Sequence, residues 1–131
     1  MNKLQIGIIG VGGRGVLADS AHQPENRVFI TAGADPGEKA LEAFAQKYPE
    51  AKLFKNYQAL LAEPGIDAVF ICSPDFLHEE HAVSALQAGK AVYLEKPMAI
   101  TIKGCDRILK TAEIPVVNYI LVTTCAIMSQ F

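Results

Sequence analysis

An apolar run, Leu4 to Ile9, opens directly into Gly10-Val11-Gly12-Gly13-Arg14-Gly15. No other stretch limits the fold as strongly. A continuous apolar run reads as a strand buried on both faces of a parallel sheet. The glycines then have separate uses. Gly10 lets the chain turn tightly out of the strand, Gly12 lets a diphosphate approach bare backbone, and Gly15 lets the next helix pack against the sheet. A helix starting here points free N–H groups and the positive end of its dipole at an anion. The same glycine spacing also occurs in plain turns, so the rest of the chain has to decide between them.

The remainder alternates strand and helix patterns. Val16 to His22 continues a short helix, Gln23 to Asn26 is a loop, and Val28 to Ala34 is a second apolar strand ending at Asp35. Pro36 suits a first helical position, and Leu41, Phe44, Ala45 and Tyr48 recur at helical spacing until Pro49. Lys52 to Phe54 reads as a short strand and Tyr57 to Ala62 as a short helix stopped by Pro64-Gly65. Ile66 to Cys72 is another buried strand, about His78 to Ala88 a helix stopped by Gly89, and Ala91 to Leu94 a strand. Thr101 is placed to cap a last helix whose buried side is Ile102, Cys105, Ile108, Leu109 and Ala112. Val116 to Val122 reads as the final strand. Strands separated by helices imply an α/β fold, a doubly wound parallel sheet covered on both faces.

Composition narrows the function. A length of 131 residues, half of them hydrophobic, supports one domain with a real core. The net charge of −2 gives no footprint for nucleic acid, and no apolar run reaches the roughly 20 residues that span a bilayer. Cys72, Cys105 and Cys125 are odd in number and lack metal-ligand spacing, which fits free thiols in a reducing cytoplasm.

Asp35 stands about 20 residues beyond Gly15, where an acidic side chain accepts hydrogen bonds from an adenosine ribose diol and repels a 2′-phosphate. That favours NAD over NADP without excluding NADP. The competing use of Asp35 is to cap the next helix with Glu38 completing a capping box; the paired glycine turn favours ribose binding. Arg14 is placed to hold a phosphate or to lie on the surface. Ser73-Pro74-Asp75-Phe76-Leu77-His78 follows a strand, so in an open α/β sheet it lines the ligand crevice; the plain alternative is a turn capped by Asp75. His78 and His81 are three apart, not the four of a zinc-protease helix, and no third ligand is identifiable, so no metal site is expected. Lys96, in Glu95-Lys96-Pro97, reaches the same crevice, where a lysine assists proton transfer at a hydroxyl, unless it is a solvated turn residue.

Three blocks in order, Gly10-x-Gly12-Gly13-x-Gly15, Ser73-Pro74-Asp75-x-x-His78 and Ala88-Gly89-Lys90-x-Val92-x-x-Glu95-Lys96-Pro97, resemble the cofactor domain of the glucose–fructose oxidoreductase / inositol dehydrogenase (Gfo/Idh/MocA) family over roughly residues 3 to 120. The resemblance implies a Rossmann-type domain of an NAD(P)-dependent oxidoreductase acting on a sugar, cyclitol or related polyol. It implies that Gly10, Gly12, Gly13 and Asp35 hold the dinucleotide, that Ser73, Pro74 and His78 line the nicotinamide side, and that Glu95 and Lys96 stand at the reaction centre.

Family members continue into a second α/β domain that supplies most substrate contacts. Here the chain stops at Phe131 and that domain is absent, so residues 1–121 read as the dinucleotide domain and 122–131 as an atypical apolar tail. Relatives place an arginine and an aromatic residue after the last strand; a reading-frame change near Leu121 would convert Val122-Thr123-Thr124 into Arg-Tyr-Tyr, and the coding DNA decides that. A truncated, inactive product is one alternative reading. A non-catalytic dinucleotide-binding or interaction module, pairing with a second copy or a partner, is the other.

Overall fold

The computed structural model describes residues 3–12, 19–94 and 99–112, and the backbone of 120–122. Six strands, β1 (Leu4–Ile9), β2 (Val28–Ala34), β3 (Lys52–Phe54), β4 (Ala68–Ile71), β5 (Ala91–Leu94) and β6 (Ile120–Val122), form one sheet in the order β3-β2-β1-β4-β5-β6. Every pairing is parallel. The α-helices are α1 (Glu38–Lys47), α2 (Tyr57–Ala62), α3 (His78–Gln87) and α4 (Ile102–Ala112). The fold is therefore the expected Rossmann-type α/β sheet. The strand order reverses between β1 and β4, which opens a crevice at their carboxyl ends.

Alternation along β1 sends neighbouring side chains to opposite faces. Ile9 joins Leu60, Val69, Ile71, Leu86 and Ile108 in the larger core, whereas Ile8 joins Ile30, Leu41 and Phe44 beneath α1. A bulge intervenes in β2: Ile6 pairs with Ile30 but Gly7 with Ala32, leaving Thr31 extra. It turns Ile30 to the α1 side and Ala32 and Ala34 to the other.

Helix ends follow capping chemistry. Asn56 accepts from the Ala59 N–H at 2.8 Å and starts α2. α3 ends in a Schellman turn, with Gly89 at φ +79°, its N–H on the Leu86 carbonyl and the Lys90 N–H on the Ala85 carbonyl. Thr101 caps α4 as expected, accepting from the Gly104 N–H at 2.9 Å. Thr101→Ala is expected to cost about 1 kcal/mol and lower the melting temperature by roughly 3–5 °C in a thermal circular-dichroism scan.

Some expectations shift. α1 begins at Glu38 with Gly37 as its N-cap, not at Pro36, because the Asp35 side chain takes the Gly37 N–H. Asp19 to Ala21 form a 3-10 turn, as do Pro24 to Asn26; residues 13–18 of the expected first helix lie outside the described residues. On α4 the buried stripe is Gly104, Ile108 and Thr111, so Ile102, 82% exposed, and Leu109 turn outward. At about 100° per residue these two fall off the line that faces α3. Most of the tail read from 122 onward, and Cys125, are likewise outside the described residues; Cys72 is buried and Cys105 is a free thiol.

Candidate functional site

Gly10 leaves β1 at φ +89°, with its N–H on the Ala34 carbonyl at 2.8 Å. A Cβ there would lie 2.6 Å from Ser73 N, 2.7 Å from Ser73 Cα and 2.8 Å from the Cys72 carbonyl carbon. The bend is thus pressed against the backbone at the end of β4. Gly12 differs: a Cβ would stand 3.4 Å from Ala40 Cβ and 3.8 Å from Asp35 Oδ2, both ordinary contacts. Packing of the described residues demands a glycine at position 10 and leaves position 12 open for some other reason.

Asp35 closes the other side of the bend. Its Oδ2 accepts from the N–H groups of Val11 at 3.1 Å and Gly12 at 3.3 Å. Its Oδ1 accepts from the Gly37 N–H at 2.8 Å. It is not the N-cap of α1, and Glu38 completes no capping box but faces Lys55 at 3.3 Å. A carboxylate is therefore held by three backbone donors at the carboxyl edge of the sheet, next to the glycine turn.

The opposite wall follows β4. Ser73 to Leu77, with Asp75–Leu77 in a 3-10 turn and no side-chain cap from Asp75, line a cleft of about 940 Å³ together with Gly10, Gly12, Asp35, Tyr57 and His81. His78 is buried behind this wall, only 1% exposed. Its Nε2 stands 2.8 Å from the Ser73 carbonyl oxygen; a carbonyl only accepts, so Nε2 carries the proton. His81 Nδ1 lies 2.8 Å from Ser73 Oγ, and the Tyr57 ring packs on the imidazole with centroids 4.2 Å apart. Tyr57 donates its hydroxyl to Glu80 Oε2 at 2.7 Å. Burial drives the His81 pKa down to about 4, His78 adding to the effect and Glu80 opposing it. Burial, then the Glu80 hydrogen bond, raises the Tyr57 pKa.

Gly10, Gly12, Asp35, Ser73 and Pro74 thus converge on one cleft, and His78 supports it from behind. Gly13, Arg14, Gly15, Glu95 and Lys96 lie outside the described residues, although β5 ends at Leu94 in register with Ile71 at the same sheet edge. Sequence reasoning missed Tyr57 and weighed His81 only as a metal ligand; the signal for another use was its place on the apolar face of its helix beside Ala82. Among the described residues no three His, Cys, Asp or Glu are grouped to hold a metal, and no helix is long and apolar enough to cross a membrane.

A family model described as "Oxidoreductase family, NAD-binding Rossmann fold" matches residues 4–120. Inositol 2-dehydrogenase of Paracoccus denitrificans is 34% identical over 115 residues, 84% of this chain and 33% of the enzyme. A 1-carboxy-3-chloro-3,4-dihydroxycyclohexa-1,5-diene dehydrogenase of Comamonas testosteroni is 33% identical over 110 residues, 84% of this chain and 28% of the enzyme. The WlbA dehydrogenase of Bordetella pertussis, solved with NADH and UDP-GlcNAcA, superposes with a TM-score of 0.83 at 27% identity, over 93% of this chain and 37% of that one. This chain spans about a third of the length of these relatives.

Proposed function

The chain belongs to this oxidoreductase family with an NAD-binding Rossmann fold, and from that premise we propose that it supplies the dinucleotide-binding domain for hydride transfer to or from a sugar, cyclitol or related polyol. The observation that carries the reading is the Asp35 carboxylate fixed by Val11, Gly12 and Gly37 N–H groups at the mouth of the glycine bend. The cleft fits the group: it falls in the size range of small-molecule sites, has bare backbone at Gly12, and carries the Asp35 carboxylate on its lining, a group able to accept from a ribose diol.

In this reading Gly10, Gly12, Gly13 and Gly15 shape the diphosphate seat and Arg14 adds a cation to it. Asp35 accepts from the ribose hydroxyls and disfavours a 2′-phosphate, which makes NAD the preferred cofactor. Ser73 and Pro74 face the bound nucleotide, and His78 holds their loop. Bound NAD supplies the two-electron hydride acceptor or donor. By the family resemblance Glu95 and Lys96 stand at the reaction centre, where Lys96 takes or returns the proton of the substrate hydroxyl. The polyol class rests on relatives named as inositol dehydrogenases and on a neighbour solved with a nucleotide sugar.

The test is isothermal titration of the 131-residue chain with NAD and NADP, together with a dehydrogenase assay on a polyol panel. Saturable NAD binding, weaker NADP binding and little turnover are expected, because positioning of substrate carries much of a barrier reduction. No saturable binding of either dinucleotide would overturn the cleft assignment. Vigorous turnover would show that these 131 residues are enough to position a substrate.

A further inference from the structure

We propose that His81 is a positioning residue for the dinucleotide: with His78 it clamps Ser73, and through Ser73 it sets the glycine bend that receives the phosphates. The inference rests on the reading of the cleft given above and adds a role to a residue which that reading leaves unused.

The two imidazoles sit three residues apart on the buried face of α3, 1% and 6% exposed, and they converge on one serine. His78 takes its carbonyl at 2.8 Å and His81 its hydroxyl at 2.8 Å. A pair whose spacing invites a search for metal is instead a two-point grip on a loop. That serine matters because Gly10 turns directly against it, so closely that a Cβ would lie 2.6 Å from Ser73 N. The next two N–H groups, Val11 and Gly12, donate to Asp35 Oδ2 and so tie the bend to the carboxylate that lines the cleft. A Ser73 free to shift therefore moves the donors, and misplacement of positioning groups is costly in a preorganised site.

The chemistry of the grip is specific. The titratable groups around His81 are Glu80 and His78 on its own helix and Tyr57 on α2, whose ring covers the imidazole. In the neutral tautomer that carries its proton on Nε2, Nδ1 accepts the Ser73 hydroxyl proton, which leaves the oxygen lone pairs of Ser73 for the cleft it lines. Protonation of His81 puts a donor on Nδ1, reverses that bond and turns Ser73 from acceptor to donor toward the cleft.

The test measures NAD affinity by titration calorimetry for wild type, His81→Phe, His81→Gln and Ser73→Ala, each first shown to be folded by circular dichroism. His81→Phe keeps a ring against Tyr57 and removes the nitrogen; it is expected to weaken NAD binding about tenfold, the scale of one lost buried hydrogen bond. His81→Gln, which retains a polar group at similar reach, should recover affinity to within about threefold of wild type. Combining His81→Phe with Ser73→Ala should weaken binding no further than the worse single change. From pH 6 to pH 4 wild-type affinity should fall more steeply than that of His81→Gln. Carboxylates that hold the ligand are common to both proteins, so only the difference between the curves is read. If His81→Phe does not fold, His81→Gln and Ser73→Ala report on the same bond.

A histidine serving stability alone would lower the melting temperature and leave the affinity of the folded variants and the pH difference at zero. That result, with wild type binding normally, overturns the clamp and leaves the cleft reading intact. Wild type that binds no NAD overturns both.

Discussion

Gly10→Ala is expected to cost the domain about 2–5 kcal/mol and to lower its melting temperature by about 10 °C or more, while Gly12→Ala leaves the fold standing and weakens NAD binding. The first effect has two sources. A φ of +89° penalises any Cβ by roughly 1–2 kcal/mol, and the methyl carbon would overlap Ser73 N, Ser73 Cα and the Cys72 carbonyl carbon at 2.6–2.8 Å. Those atoms are backbone, so no side-chain end can swing away, and overpacking adds about 1–3 kcal/mol. Domains of this kind are stable by only about 5–15 kcal/mol, so the loss is a large fraction of the whole. Among the described residues the new carbon at Gly12 meets Ala40 Cβ at 3.4 Å and Asp35 Oδ2 at 3.8 Å, and stability should change by less than about 1 kcal/mol. Its expected effect is on the ligand: a methyl group where a diphosphate approaches should raise the NAD dissociation constant about 10- to 100-fold, the scale of overpacking by one carbon. Melting curves and titration calorimetry on the two variants separate these outcomes. Equal melting temperatures would show that the bend is not packed as described; unchanged NAD affinity in Gly12→Ala would remove Gly12 from the phosphate seat.

These two glycines also show what a sequence can and cannot disclose. Their spacing after Leu4 to Ile9 was enough to announce the bend, because strand, turn and helix start are all local. The sheet, the cap at Thr101 and the stop at Gly89 were legible for the same reason. The bulge at Thr31 was not, since it exists only against β1: the pairing jumps between Ile6 and Gly7, and nothing within β2 alone encodes that. Pro36 suits a helix start two residues before the observed one, because nothing local shows that Asp35 captures the Gly37 N–H. Hydrophobicity alone places Ile102 and Leu109 in the core, but which stripe of α4 faces α3 is decided by where Gly104 and Ile108 fit. In the site, Asp35 and the Ser73–His78 loop were visible as motifs. The Ser73–His81 bond joins residues eight apart across a turn, and Tyr57 reaches His81 from another helix, contacts that only the packed fold creates.

Asp35→Asn should weaken NAD binding about 10- to 100-fold and, in the same protein, narrow or reverse the preference for NAD over NADP. The carboxylate serves two sets of partners. Three backbone N–H groups point at it from inside the protein, and a ribose diol would donate to it from the cleft. An amide has one acceptor oxygen where the carboxylate has two, so Asn keeps either the Gly37 contact or the Val11 and Gly12 contacts and sets an NH2 group against the other. Loss of charge-assisted bonds of roughly 1.5–3 kcal/mol gives the expected fall in NAD affinity. For NADP the sign is opposite. A unit charge about 5 Å from a phosphate charge repels it by roughly 3 kcal/mol at an effective dielectric constant near 20, and that repulsion vanishes in the amide. Glu38, 75% exposed and paired with Lys55, leaves a screened negative charge nearby, so the gain for NADP should fall short of that figure. Parallel titrations of wild type and Asp35→Asn with both dinucleotides give the ratio directly. If both bind the variant as they bind wild type, Asp35 only ties Val11, Gly12 and Gly37 together, and the ribose must be gripped by some other residue.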